Sequence, residues 1–392
     1  MESSKFNEKK LFLMSCIALI VTAVSFALRA SLEPIFMSDY GLSATDIGFA
    51  FGPAFYGFTI AMIIFGPVVD MWGMKKVLNI AWVLHFIGIT GTIFSTDMWS
   101  LFFSTLAIGI GNGSIEAACN PLVASIYPNN KTTMLNKFHV WFPGGIVIGS
   151  LLSYFLLDLM NIDWRIYVAV LYIPLVIYGI MMYNEEFPQT ERVTSGVSTG
   201  DMWKAVTKPL FLFIGFCMLL TASTELATGQ RIASLLKGAN AVPMLVLGLT
   251  AGLMAVGRAF AGPIVHKYSA SGMLLFSAIF SFIGLIMLSY SNGFMVYFAA
   301  IVFAIGVCFF WPTMLGFIAE EIPESGALGL SIIGGLGMFS VSIVLPIMGV
   351  FMDTGSQGSE TLRYMAVMPA VLIFAFGFLY TKFGKKGKVQ EA

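Results

Sequence analysis

The chain has 392 residues, 58% of them hydrophobic and only 11% charged, with a net charge of zero. A soluble domain carries roughly 45–50% apolar and 25% charged residues, so the surplus apolar surface needs lipid as its solvent. Zero net charge gives no reason to expect nucleic acid or a strongly charged partner.

Met1 to Lys10 is polar and holds Lys5, Lys9 and Lys10. The apolar stretch after it begins at Leu11, is too long for a secretory signal and meets no small-residue cleavage site, so it reads as the first membrane helix. About 20 apolar residues cross a bilayer core. Polar punctuation then predicts twelve spans, at 11–37, 45–69, 77–95, 99–127, 134–158, 166–183, 209–236, 242–265, 271–290, 293–319, 326–352 and 364–381. Helices are expected throughout, because an open sheet would expose unpaired edges to lipid. Cys16, Cys119, Cys217 and Cys308 sit inside apolar runs without CxxC spacing and read as packing thiols.

Asn184 to Lys208 is polar and divides the chain into six spans on either side. The expected organisation is a six-helix bundle at 1–183, a cytoplasmic linker at 184–208 and a second bundle at 209–392. Gly66-Pro67-Val68-Val69-Asp70 is echoed by Gly262-Pro263-Ile264-Val265-His266 at an offset of 196 residues, each at the end of the second span of its half. That points to two parallel repeats, an arrangement that places a substrate site at the midplane between them.

Positive charge sets the expected orientation. With the N-terminus inside, the cytoplasmic segments hold Lys5, Lys9, Lys10, Lys75, Lys76, Lys131, Arg192, Lys204, Lys208, Lys267, Lys382, Lys385, Lys386 and Lys388. The opposite face holds Arg165, Lys237 and Arg363. Both termini are therefore expected in the cytoplasm of a bacterial cell, with the protein in its inner membrane.

Twelve spans, a central linker and a parallel repeat resemble the major facilitator superfamily. The run from Gly66 through Asp70, Gly73, Lys75 and Lys76 is similar to that superfamily's loop signature after the second span, G-x-x-x-D-r-x-G-r-k-x, with Met71 and Met74 at usually basic positions. The resemblance implies a tight turn at Gly73 and a gating role for Asp70, which can meet a helix end of the other half. A narrower resemblance is to the fucose–proton symporter family. It rests on Gly111 to Pro121 (G-x-x-x-x-E-x-x-x-N-P, with Glu116 and Asn120), on Asn136 to His139, on Trp311-Pro312-Thr313, and on Gly334-Gly335 with Leu345 to Gly349. It implies proton-coupled uptake of a monosaccharide. The sequence departs from that family at Ala30, where an acidic residue is usual, flanked by Arg29 and Glu33, and at Gln230-Arg231, where an aromatic is common.

An ionisable residue inside the membrane costs about 2.5–3.5 kcal/mol on insertion scales, so each one is a functional candidate. Glu116 is the proton-coupling candidate, since a carboxyl in low dielectric resists ionisation and can load and release a proton. Glu225, at the family's acidic position in span seven, is the second. His139 can donate to and accept from a sugar hydroxyl. Asn120 joins it as a substrate contact through the resemblance. Arg29 and Glu33 are four apart and share a face, so they can pair; alternatively Arg29 is free to grip a carboxylate or sugar oxygens as a fork. Glu225 and Arg231 are set about 240° apart on a regular helix and are not expected to pair. Arg231, near the external end, is expected to snorkel. Arg258 is assigned to a structural or gating pair. Trp141 and Trp311, with Phe142, are candidates for stacking on sugar faces. His85 and His266 read as structural.

The leading expectation is a proton-coupled importer of a monosaccharide or sugar acid, monomeric, with no cofactor beyond the proton gradient. Export of drugs or small molecules, organic anion exchange and a non-transporting membrane sensor are the alternatives. Neither a phosphate-binding G-x-x-x-x-G-K-[ST] loop nor an H-E-x-x-H pair is present, and no enzymatic activity is expected.

Overall fold

The computed structural model describes residues 6–127, 131–190, 199–260 and 269–384. Among the described residues the regular structure is helical, without strands. Eleven helices are long and apolar enough to cross a membrane: Glu8–Tyr40, Ala44–Trp72, Met74–Ile93, Met98–Ile126, Lys137–Leu159, Trp164–Tyr183, Pro209–Gln230, Ala270–Tyr290, Met295–Ile318, Leu328–Asp353 and Gly358–Phe383. A twelfth, Pro243–Ala259, is apolar but shorter as far as it is described. They are numbered here as spans one to twelve in chain order, with Pro243–Ala259 as span eight.

Local chemistry sets many ends. Asn7, Ser43 and Asp97 cap spans one, two and four by accepting backbone N–H bonds, and Pro209 and Pro243 open spans seven and eight. Gly73 breaks spans two and three at φ 84°, a backbone state that side chains resist. The echo at Gly262 to His266 lies outside the described residues, as do the last positions expected of span eight, Lys5, Arg192, Thr194, Ser195, Lys267, Lys385, Lys386 and Lys388. The side chains of Lys131, Asn136 and Asp201 are likewise undescribed.

The two sets of six spans pack alike. Span two lies against four, three against four, one against five and three against six; in the second set, eight lies against ten, nine against ten, seven against eleven and nine against twelve. Across the middle, span two meets eleven, span five meets eight and span one meets seven. This pairing is what a twofold relation between two parallel repeats produces. The start of span one, the end of span twelve and the turn at Gly73 lie at one end of the bundle, as the alternation of twelve spans requires. There Lys10 pairs with Glu185 at 2.7 Å, and the Asn7 N–H donates to the same carboxylate.

Two helical irregularities matter for function. Span seven carries a π-helical turn at Ser223–Ala227 and is interrupted again at Arg231. Such turns inside α-helices are frequent at functional sites, because they turn side chains off the regular wheel. In span four, Pro121 has no N–H to offer the carbonyl one turn earlier, which loosens the helix beside Glu116 and Asn120.

Candidate functional site

Polar groups at the junction of the halves form three layers. The first, at the end opposite the chain termini, is a sealed ion pair. Arg231 is 2% exposed and its Nη1 donates to Glu33. Its Nη2 donates to the carbonyls of Ala44, at 2.6 Å, and Leu345, at 2.8 Å. One guanidinium thus ties spans one, two, seven and eleven together. Glycine makes this possible: a Cβ on Gly48 would collide with Arg231 and Leu345, and one on Gly349 with Ala44. Beside it, the Asp353 carboxylate accepts the N–H groups of Ala44 and Thr45, so the end of span eleven caps the positive N-terminus of span two.

The spacing of Arg29 and Glu33 allowed a pair, but Glu33 takes Arg231 instead, 198 residues away. The expectation that Arg231 snorkels is overturned for the same reason. Three acceptors reward its burial, and the break in the helix at Arg231 turns it inward. Glu225 and Arg231 do not pair: Glu225 takes Arg258.

The second layer surrounds Arg29, also 2% exposed. Its Nε donates to Gln230 Oε1 at 3.1 Å and its Nη1 to Ser25 Oγ at 3.4 Å. Its guanidinium lies 4.8 Å from the Phe26 ring centroid and 5.4 Å from that of Phe55. The donors can be followed outward. Ser25 donates to the Thr22 carbonyl, so its oxygen accepts from Asn112 Nδ2 and from Arg29. Asn112 Oδ1 then accepts from His85 Nε2, and His85 Nδ1 accepts from the Tyr178 hydroxyl. His85 thus sits in a structural chain running from span six to span one.

The third layer lies towards the terminal end. Asn120 Nδ2 donates to Glu116 Oε2 at 2.7 Å, so its Oδ1 faces His139 Nε2, which donates to it at 3.0 Å. His139 and Glu116 themselves stand 4.0 Å apart. Across the junction, Arg258 Nη2 reaches Glu225 Oε1 at 3.2 Å and its Nε donates to the Cys308 carbonyl at 2.9 Å. Arg258 and His139 stand on spans eight and five, which pack against each other across the junction. Glu116, Asn120 and His139 come from spans four and five; Glu225 and Arg258 come from seven and eight.

Between these layers is a cavity lined by Phe26, Ile146, Glu225, Thr228, Gln230 and Thr250, among others, and so by both halves. Its water-accessible space is about 50 Å³. One water needs roughly 10–15 Å³ by that measure, so it has room for a few. Glu225 Oε2 and Thr228 Oγ1 are buried on its wall without a hydrogen-bond partner among the described residues.

The aromatic candidates fall elsewhere. Trp141 is 40% exposed, and Trp311 packs over Gly334 and Gly337. Phe142 stacks edge-on against Phe26 beside the cavity wall. At the terminal end, Asp70 accepts from Thr190 at 2.5 Å, Lys75 donates to the carbonyls of Tyr183 and Glu185, and Lys76 is exposed. In this state the turn at Gly73 therefore docks on the segment after span six. Thr228, Ser25 and Asn112 were not singled out from the sequence, and Gln230 only as a departure from the family pattern. The one available signal was a run of polar residues, Thr221 to Arg231, within an otherwise apolar span.

Comparison with known proteins places these observations in context. The model of the Major Facilitator Superfamily matches residues 11–327. A D-xylose transporter of Levilactobacillus brevis is 25% identical over 114 residues, 29% of this chain and 25% of that protein. A gallate transporter of Pseudomonas putida is 28% identical over 149 residues, 38% of this chain and 33% of that protein. The matched stretches thus span a quarter to a third of those two relatives. In shape, the chain is similar to the inward open conformation of the xylose transporter XylE from E. coli, with TM-score 0.77 and 15% identity, covering 97% of this chain and 98% of that one. It is also similar to the transporter FucP in its outward conformation, with TM-score 0.66 and 16% identity, covering 94% and 98%.

Proposed function

The chain belongs to the Major Facilitator Superfamily, and from that premise we propose that it is a secondary active transporter that imports a monosaccharide or sugar acid together with a proton. The observation that carries this reading is the central cavity. It is walled by both halves, holds unpaired polar atoms of Glu225 and Thr228, is shut at one end by the Arg231–Glu33 tie, and is flanked at the other by Glu116 and His139. In this reading the bundles at 1–183 and 209–392 rock about the cavity, and the linker at 184–208 and both termini face the cytoplasm of a bacterial inner membrane. One chain contains the whole site, so a monomer suffices.

Glu116 is the proton carrier. When it is neutral, it still offers an oxygen to Asn120 Nδ2 but no longer a charged one, so that hydrogen bond weakens. Protonation also removes the negative charge that stands 4.0 Å from His139. A proton on Glu116 is in this way read by span five. Glu225 presents its free oxygen to a substrate hydroxyl, with Arg258 holding the carboxyl in place.

The test is uptake into proteoliposomes from a panel of labelled sugars and sugar acids, with and without an inward proton gradient. Accumulation that requires the gradient and disappears in Glu116→Gln is expected. Gradient-independent accumulation would remove the proton-coupled reading.

A further inference from the structure

We infer that the cargo carries a carboxylate and that Arg29 is the group that grips it; this rests on the transport reading above and names its substrate class. Buried ions are stable only when paired. Inside this protein Glu33 pairs with Arg231 and Glu225 with Arg258. Arg29 is buried just as deeply, yet among the described residues no carboxylate lies within ion-pair distance of it. Every group that reaches it is neutral: the Gln230 amide, the Ser25 hydroxyl and two phenylalanine rings. The chain beyond Ser25 continues through Asn112, His85 and Tyr178, and brings no negative charge.

The geometry also shows the shape of what is missing. A guanidinium binds a carboxylate best through two parallel N–H groups, and Nε with Nη2 makes such a fork. Here Nε is held by a single amide oxygen, while Nη2 is buried with no hydrogen-bond partner. Gln230 thus half-fills a two-pronged site. Its own Nε2 is anchored to the Phe26 carbonyl at 2.9 Å, which aims its oxygen at Arg29. Gln230 also lines the central cavity, with Arg29 directly behind it. If Gln230 swings aside, the full fork faces the space where Glu225 and Thr228 offer their unpaired atoms. The carboxylate then lies on Arg29 and the hydroxyls lie against Glu225 and Thr228. Gln230 acts as the placeholder of the empty site.

The experiment measures ligand-induced thermal stabilisation and Kd of the full chain in lipid nanodiscs, without any gradient. The probes are D-galacturonate, D-gluconate and benzoate as acids, and D-galactose and D-xylose as neutral sugars. The sugar acids are expected to bind and the neutral sugars to bind about a hundredfold more weakly, the scale of losing one partner of a buried charge pair. Arg29→Lys keeps a charge without the fork and should lose about tenfold. Gln230→Glu places a tethered carboxylate on Arg29, so it should fold at least as stably as the parent and bind no acid. Neutral sugars binding as tightly as the acids would overturn the inference and leave sugar transport standing. Binding of benzoate alone would uphold the carboxylate and remove the sugar. Unchanged acid binding in Gln230→Glu, or no binding of any acid by the parent chain, would also overturn it.

Discussion

The two ion pairs of the junction contrast sharply. Arg231 and Glu33, at the end away from the termini, have side chains 2% and 0% exposed, and the arginine spends its donors on two carbonyls from opposite halves as well. Arg258 and Glu225 are 11% and 7% exposed, leave one carboxylate oxygen unbonded, and lie near a histidine whose side chain is 32% exposed. The first pair crosses between the halves and its arginine is held by three acceptors, whereas the second stays within one half; each leaves one carboxylate oxygen unbonded, but only that of Glu225 lies on the cavity wall. A crossing tie sealed from the cavity holds a door shut, whereas a pair on the cavity wall can meet a ligand. The difference shows that the molecule is closed at one end and polar and reachable at the other, which is the asymmetry alternating access requires.

The contrast breaks most severely at the tie. Arg231→Ala leaves Glu33 buried without its counter-charge and should weaken the closed end by about 3–5 kcal/mol. Labelling of Ala44→Cys by an impermeant maleimide applied from the face opposite the termini should then rise at least about tenfold, since each 1.4 kcal/mol is a factor of ten. Labelling at the parental rate would show that Asp353 and the packing of spans two and eleven close that end unaided. Glu33→Gln, which keeps a weaker acceptor, should give a smaller rise in the same assay.

Glu116→Gln comes next in size. It should abolish uphill accumulation driven by a proton gradient while counterflow exchange continues, because a permanently neutral side chain no longer gates the return step. Both rates are measured in the same vesicles. Parental accumulation would transfer the coupling role to Glu225. Glu225→Gln keeps the shape of the wall but weakens a charged acceptor; substrate Kd should rise about 10- to 100-fold by equilibrium binding, the scale of a hydrogen bond to a charged group. An unchanged Kd would place the substrate elsewhere in the junction.

The smallest effect is expected at the terminal end. Lys10 holds the Glu185 carboxyl below the ordinary carboxylate range, with the Asn7 N–H adding to this. A depressed value in the folded state means that the contribution is complete above the ordinary range and is lost as pH falls through the lowered value. Glu185→Gln should therefore lower stability at pH 7 by no more than about 1 kcal/mol, as for other exposed pairs. It should leave stability unchanged at acidic pH, where the parental carboxyl is already neutral. Thermal unfolding at both pH values checks this; an equal loss at both would mean that the charge of Glu185 is irrelevant.

Much of this architecture was written locally. Twelve apolar stretches separated by polar turns set the spans, because bilayer thickness acts on each stretch by itself. Thus the expected 99–127 became Met98–Ile126 and the expected 166–183 became Trp164–Tyr183. Gly73 turns the chain where its residue type said it would. Glu116, Asn120 and His139 were legible as candidates because a polar residue in a membrane span is costly enough to stand out. Their mutual contact depends on two different spans meeting, and the sequence does not record that meeting.

Partner choice was decided only by the tertiary structure. By spacing, Arg29 and Glu33 could have met; in the fold Glu33 takes Arg231, and Arg29 turns to Gln230. The helix wheel presumed a regular span seven, but the π-helical turn at Ser223–Ala227 and the break at Arg231 altered its register. Electrostatic attraction in a low-dielectric interior is strong and indifferent to chain separation, so a charge pairs with whatever packing brings near. Hydrophobic length sorts residues into the membrane one helix at a time; only the packing of twelve helices determines which buried charges meet and which, like Arg29, finds no counter-charge among the described residues.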